Sequence, residues 1–319
     1  MTKAIPVTDW VRHIDREYLS TFTRDGGGAV KFAVTAGERM PGLIEELQAR
    51  CAEREHLFVA LDALTSRVHM PQDLFFGLAS QLEWQLLARR VVLRLLSKQA
   101  YLVDGIDPNG NVNVIDAVAR ANGIEAQSVL IELRPALERE VTRNANMAKA
   151  FRVAMTHLCL FERERAAPGE YAGQPLLDWL TGANTRISNI KPFHIHTPIN
   201  RTTARYFIES ALYWVRYAGY SGTLILLDNT RVTLPRNPKD GTRYYTRAMT
   251  IEHYELLREF IDDVDRLPGT LLVALTDYTF VDEQSMRGWG IYPALRTRVM
   301  DDVRDRNIAN PVAALVRLS

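Results

Sequence analysis

The chain has 319 residues, of which 47% are hydrophobic, 24% charged and 9% aromatic, a make-up that excludes disordered and fibrous classes and suffices for a substantial core. Its net charge of +1 excludes bulk attraction to nucleic acid or an anionic membrane and leaves only local basic patches to consider.

The first residues, MTKAIPVTDWVRHIDREYL, contain no apolar leader, and no segment reaches the roughly 18 apolar residues of a membrane span. A cytoplasmic protein without a membrane partner is the expectation. Cys51 and Cys159 lie far apart in no motif, which suits buried thiols in a reducing compartment. Residues 7–24 carry Trp10, Val11, Ile14, Tyr18, Leu19 and Phe22 at helical spacing, with Thr8 or Asp9 as N-cap. After DGGG, AVKFAV reads as a strand, PGLIEELQARCAER as a helix with proline in its first turn, and HLFVALDA as a second strand. Strands this apolar, joined through a helix, predict a parallel sheet covered on both faces with a right-handed crossover.

From about Gln72 to Glu164 the pattern is helical almost throughout, which predicts a helical region inserted between core strands. The mixed segment 176–207 follows, and TARYFIESALYWVRYAG is an apolar helix stopped at Gly219. SGTLILLDNTRV reads as a strand ending in Asp228. TIEHYELLREFIDDVDRL is then a helix, PGTLLVALTDY a strand, YPALRTRVMDDV a helix and NPVAALVRL a last strand.

Three blocks, ALYWVRYAGYSGTLILLDN (211–229), RLPGTLLVALTDYTFVDE (266–283) and WGIYPALRTRV (289–299), resemble the ATP-binding domain family of BREX bacteriophage-exclusion systems, a branch of the AAA+ ATPases. In that family a helix ends in an aromatic-Gly-hydroxyl-Gly turn, and an apolar strand then delivers the Walker B acidic pair. A second strand follows R-L-P-G, and a Y-x-A-L-x-x-R helix comes after it. The Trp-Leu-x-Gly stretch at 179–182 and the segment 17–34 resemble the family's region upstream of the long helix and its entry into the P-loop strand. The resemblance implies an AAA+-like P-loop three-layer α/β sandwich with a central parallel sheet and an inserted helical subdomain. The expected division is 1–70 for the first part of the core, 71–175 for the inserted helices and 176–319 for the rest of the core.

A P-loop needs a glycine-rich turn of amides, a lysine for the β/γ charge and a hydroxyl for Mg²⁺. In VTAGERMPG the turn instead carries Gly37, Glu38 and Arg39, and a glutamate there repels a triphosphate. The resemblance puts Asp228 at the Mg²⁺-holding aspartate of Walker B and Asn229 where the water-polarising glutamate belongs. An amide is no general base. By the same resemblance Thr276 falls at the polar sensor position and Arg296 or Arg298 at an arginine finger. Read as residues alone, Asp228 is either a ligand-binding group at a strand end or a turn and N-cap residue, and Arg39 either a phosphate contact or a solvated cation.

His194 and His196 in FHIH would share one face of a strand, yet no third ligand stands at recognisable spacing, so no metal site is expected. Arg89, Arg90, Arg94, Lys191, Arg201, Arg205 and Arg216 would form either a nucleic-acid surface or a solvated, ion-paired face. The aromatics Tyr206, Phe207, Tyr213, Trp214, Tyr217 and Tyr220 divide between core and an outer, partner-binding face. Together these readings predict a catalytically degenerate AAA+-like protein, a scaffold or regulatory subunit of an anti-phage defence system. Its expected partners are other defence-system proteins in a homo- or hetero-oligomer, and DNA. No cofactor is expected, ATP and Mg²⁺ being the only candidates. The alternatives are a subunit lending an arginine finger in trans to an active ATPase, and a DNA-binding adaptor.

Overall fold

The structure is a computed structural model that describes residues 4–36, 40–110, 112–162, 171–234, 236, 245–300 and 310–319. In chain order the helices are α1 (Val7–His13), α2 (Met40–Glu53), α3 (Pro71–Ala79), α4 (Trp84–Lys98), α5 (Val114–Ala121), α6 (Ala126–Leu137), α7 (Lys149–Leu160), α8 (Gln174–Thr181), α9 (Ile187–Ile190), α10 (Ala204–Tyr217), α11 (Thr230–Thr233), α12 (Arg247–Asp262) and α13 (Pro293–Val299). The strands are β1 (Ala29–Val34), β2 (His56–Asp62), β3 (Gly222–Asp228), β4 (Thr270–Thr276) and β5 (Leu315–Arg317). The chain divides into two compact units, Met1–Leu74 with Tyr220–Ser319, and Phe75–Gly219.

The first unit holds one sheet in the order β2-β3-β4-β1-β5, with every pairing parallel. Because side chains alternate along a strand, each strand serves two layers. Ala33, Leu224, Leu226, Leu271, Val273 and Leu275 face one way and bury against Trp10, Val11, Leu43, Leu47 and Cys51 of α1 and α2. On the other face Phe32 stacks on Phe280 at 5.6 Å, and Tyr254 of α12 meets that ring edge-on at 5.6 Å. The result is the parallel sheet covered on both faces that the strand pattern predicts, in the P-loop-like α/β arrangement that the resemblance implies. Burying each large apolar side chain contributes about 1.5–3 kcal/mol, several times the spread in intrinsic helix propensity, so packing rather than propensity decides these elements.

Gly222 begins β3 where the chains come closest: a Cβ there would collide with the Gly269 carbonyl oxygen and lie 2.8 Å from the His56 ring. This is the physical demand behind the glycine at the entry to β3.

The second unit is helical in its described residues. Its core gathers on Phe207 of α10, which meets Phe75 at 5.5 Å, Trp179 at 5.4 Å and Phe151 at 6.1 Å. Helix α8 ends at Gly182, whose φ of +79 is the left-handed geometry of a helix stop, and the Asn184 N–H closes back on the Asp178 carbonyl at 3.0 Å. A Cβ at Gly182 would also meet Phe76 at 2.8 Å, so the Trp-Leu-x-Gly stretch joins a core aromatic to a packed turn.

Four local expectations need correction. Helix α1 starts after Pro6, not at a Thr8 or Asp9 cap, because Pro6 already supplies the extended residue before the first turn. It then widens into a π-helix over Ile14–Phe22, where the Thr23 N–H reaches back to the Tyr18 carbonyl. FHIH is not a strand: Lys191–Phe193 form a 3₁₀ turn and His194 has φ +60, so the two histidines do not share a strand face. Of NPVAALVRL only Leu315–Arg317 form strand, since β5 pairs with β1 only from Phe32 to Val34.

Candidate functional site

In a parallel α/β sheet the loops at the carboxyl ends of the strands build the ligand crevice. Here β2, β3 and β4 deliver Asp62, Asp228 and, one residue past β4, Asp277. Asp62 and Asp228 stand opposite one another in the β2–β3 register. Each of the three aspartates accepts the N–H two residues ahead: Leu64 to Asp62 at 2.7 Å, Thr230 to Asp228 at 2.9 Å, Thr279 to Asp277 at 3.0 Å. Asp228 is thus engaged as its neighbours are, in a turn that its own carboxylate organises, with Thr230 Oγ1 adding a second bond at 2.7 Å. Burial raises the Asp228 pKa above the ordinary carboxylate value, bonds from Thr230 oppose this, and the facing Asp62 charge raises it further.

Asn229 is buried, 1% exposed, and its backbone N–H donates to the Leu275 carbonyl at 2.8 Å. Its carboxamide meets Nε2 of His253, on α12, at 2.9 Å, and the other ring nitrogen, Nδ1, lies 3.0 Å from the Val68 carbonyl oxygen. Burial pushes the His253 pKa down to about 4, so the imidazole is neutral at pH 7. The far end of the Asn229 carboxamide and the Thr276 hydroxyl, both buried, have no hydrogen-bond partner among the described residues. Tyr245 supports the same corner: its hydroxyl reaches the Ala63 and Ser66 carbonyls at 3.1 and 3.2 Å and receives the Val68 N–H at 3.3 Å.

The structure brings Asp228, Asn229 and Thr276 together at one edge of the sheet. Gly37, Glu38 and Arg39 lie outside the described residues. Arg296 and Arg298 sit on α13, each in an ion pair. Arg296 bonds Glu283 at 2.5 Å, and Arg298 bonds Asp262, which also holds Arg258. The arginine set also reads differently in three dimensions. Arg89 is fully buried, donating to the Gly110 and Val112 carbonyls and facing Glu162 at 3.9 Å, so it cannot line a nucleic-acid surface. Arg94 lies over the Tyr217 ring at 4.8 Å, and Arg205 faces Glu209 at 3.5 Å. Of the aromatics, Phe207 and Trp214 are core while Tyr206 is exposed.

Sequence reasoning missed His253, Tyr245, Asp62 and Asp277. The available signal for His253 was its place on the apolar face of α12, between Thr250 and Leu257, where a polar ring must find partners.

Among the described residues no cluster of three or more His, Cys, Asp or Glu could hold a metal ion, and no helix is long and apolar enough to cross a membrane. The family model described as BREX system ATP-binding protein BrxC/D matches residues 112–319. No curated protein and no solved structure matches the chain.

Proposed function

The chain belongs to the BREX system ATP-binding protein family BrxC/D, and from that premise we propose that it serves a bacterial anti-phage defence system as a non-hydrolysing, AAA+-like scaffold or regulatory subunit. The observation that carries this reading is the fate of Asn229. Where the resemblance calls for a glutamate that polarises water, an amide stands, buried and bonded to a neutral histidine that is itself committed to Val68. An amide is no base, and both ring nitrogens of His253 are already engaged, at Val68 and Asn229. The donor set also fits Mg²⁺ and a triphosphate poorly. One oxygen of Asp228 is held by Thr230, burial favours its protonated form, and Asp62 and Asp277 flank it. The sequence Gly37-Glu38-Arg39 supplies no lysine.

Membership in the family implies association with other BREX proteins, and association is the function left to a scaffold. The arginine-finger alternative asks Arg298 to leave Asp262, and the DNA-adaptor alternative loses Arg89 to the interior. The test is calorimetry of the full chain with ATP and Mg²⁺, then phosphate release alone and beside an intact family member. The scaffold reading expects no turnover by this chain and no loss of a partner's turnover in Arg298→Ala. Turnover by the chain alone would overturn it. Partner stimulation that vanishes in Arg298→Ala would replace it with the arginine-finger reading.

A further inference from the structure

The two ends of a carboxamide differ only in carrying NH₂ or oxygen, so the surrounding hydrogen bonds decide which end faces a neighbour. At His253 the decision is forced by Val68. A peptide carbonyl only accepts, so the ring nitrogen 3.0 Å away, Nδ1, must carry hydrogen. A neutral imidazole has one N–H, which leaves Nε2 bare and in need of a donor. Among the described residues the atom set against it is Asn229 Oδ1, at 2.9 Å, which places one acceptor against another. As placed, Nδ2 is the end without a partner among those residues; because the two ends of an amide have the same shape, the demand of Nε2 for a donor turns the carboxamide over, sets its NH₂ against His253 and leaves the carbonyl oxygen at the far end.

We propose that His253 is a positioning residue for Asn229: it receives the carboxamide N–H at Nε2 while donating Nδ1–H to Val68, so that Asn229 presents a free carbonyl oxygen at the sheet edge. Asn229 meets α12, and Thr276 points to that same face of the sheet, since Leu271, Val273 and Leu275 fill the opposite one. With the amide so turned, an acceptor and a hydroxyl without partners among the described residues stand on neighbouring strands. The ligand class suited to them is a small neutral hydrogen-bond donor, water or a hydroxyl, rather than a phosphate oxygen, which needs donors. Such an oxygen orients a water without taking its proton. The same histidine joins the end of β3 to Val68, in the segment that runs from β2 into α3, so the orientation of Asn229 and the path of that segment are set by one ring. His69, whose charge would lower the His253 pKa further, is the other titratable group acting on it.

The tautomer of His253 refines the site of the proposed function but is read independently of turnover. The experiment is ¹H–¹⁵N correlation of the imidazole nitrogens in the full chain, labelled at histidine, with His253→Asn used to assign the signal. At pH 7 the expected pattern is protonated Nδ1 and bare Nε2. Protonated Nε2 with bare Nδ1 would overturn the proposal, whatever the rate of phosphate release. In Asn229→Asp the carboxylate demands hydrogen on Nε2 while Val68 still demands it on Nδ1. The ring must then become imidazolium, and its titration should move up by about one to three pH units. An unmoved titration in the folded variant would also overturn the proposal. Should that variant not fold, Asn229→Ala serves: the Nδ1–H form persists if Val68 dictates it, and a switch to Nε2–H contradicts the assignment.

Discussion

His253 is fully buried and bonded at both ring nitrogens, which couples the stability of the first unit to pH. Unfolded, the ring titrates near 6.5; folded, at about 4. Above the unfolded value both states are neutral and the stabilisation is complete. As pH falls through that value the unfolded chain takes up a proton first, and stability is lost until the folded pKa is reached, on the order of 3 kcal/mol in all. Urea midpoints measured from pH 7 to pH 4 should fall accordingly, and fall less in His253→Gln, which has no proton to gain. His253→Ala at pH 7 should cost about 2–4 kcal/mol, since it opens a cavity and strips the Val68 carbonyl and Asn229 of a partner. Asp228 has the opposite sign. Its folded pKa is raised, so its favourable contribution belongs to low pH and is lost as pH rises through the carboxylate range. Asp228→Asn keeps an acceptor for the Thr230 N–H and removes the charge, and should leave thermal stability at pH 7 equal or higher. A marked loss there would mean that the carboxylate is required by something other than its turn.

Among the elements, the entry to β3 is the most sensitive to substitution. Gly222→Ala sets a Cβ against the Gly269 backbone and against the His56 ring, which bonds to Thr23 and the Arg54 carbonyl and so has little freedom to move aside. A loss of about 2–4 kcal/mol is expected by chemical denaturation, of the order seen for overpacked or strained sites. Arg298→Ala removes a half-exposed ion pair with Asp262, so α13 should stay folded with little change in melting temperature. That leaves the variant clean for the partner-stimulation assay. All five strands are legible as strands because each is an apolar run bounded by turn residues. The residue-level order of the site is not. Asn229 and His253 are brought together by a helix crossing, and no periodicity reports which strand end a buried histidine meets. The π-helix at Ile14–Phe22 has the same apolar spacing as an α-helix, which hides it. Arg89 shows the reverse failure: among many arginines, composition favours exposure, and only the carbonyls of Gly110 and Val112 reveal a buried cation.

At the scale of the molecule, the chain forms a parallel sheet in the order β2-β3-β4-β1-β5 and a helical unit that lies in sequence between β2 and β3. The aspartates at the strand ends, the buried amide of Asn229 and the lysine-free sequence at 37–39 support the proposal that this chain does not hydrolyse ATP. The direct measurement is phosphate release by the purified full chain with saturating ATP and Mg²⁺, beside Asp228→Asn. The expected result is the protein-free background for both proteins. Mg²⁺-dependent release by the unmodified chain that disappears in Asp228→Asn would contradict the loss of hydrolysis.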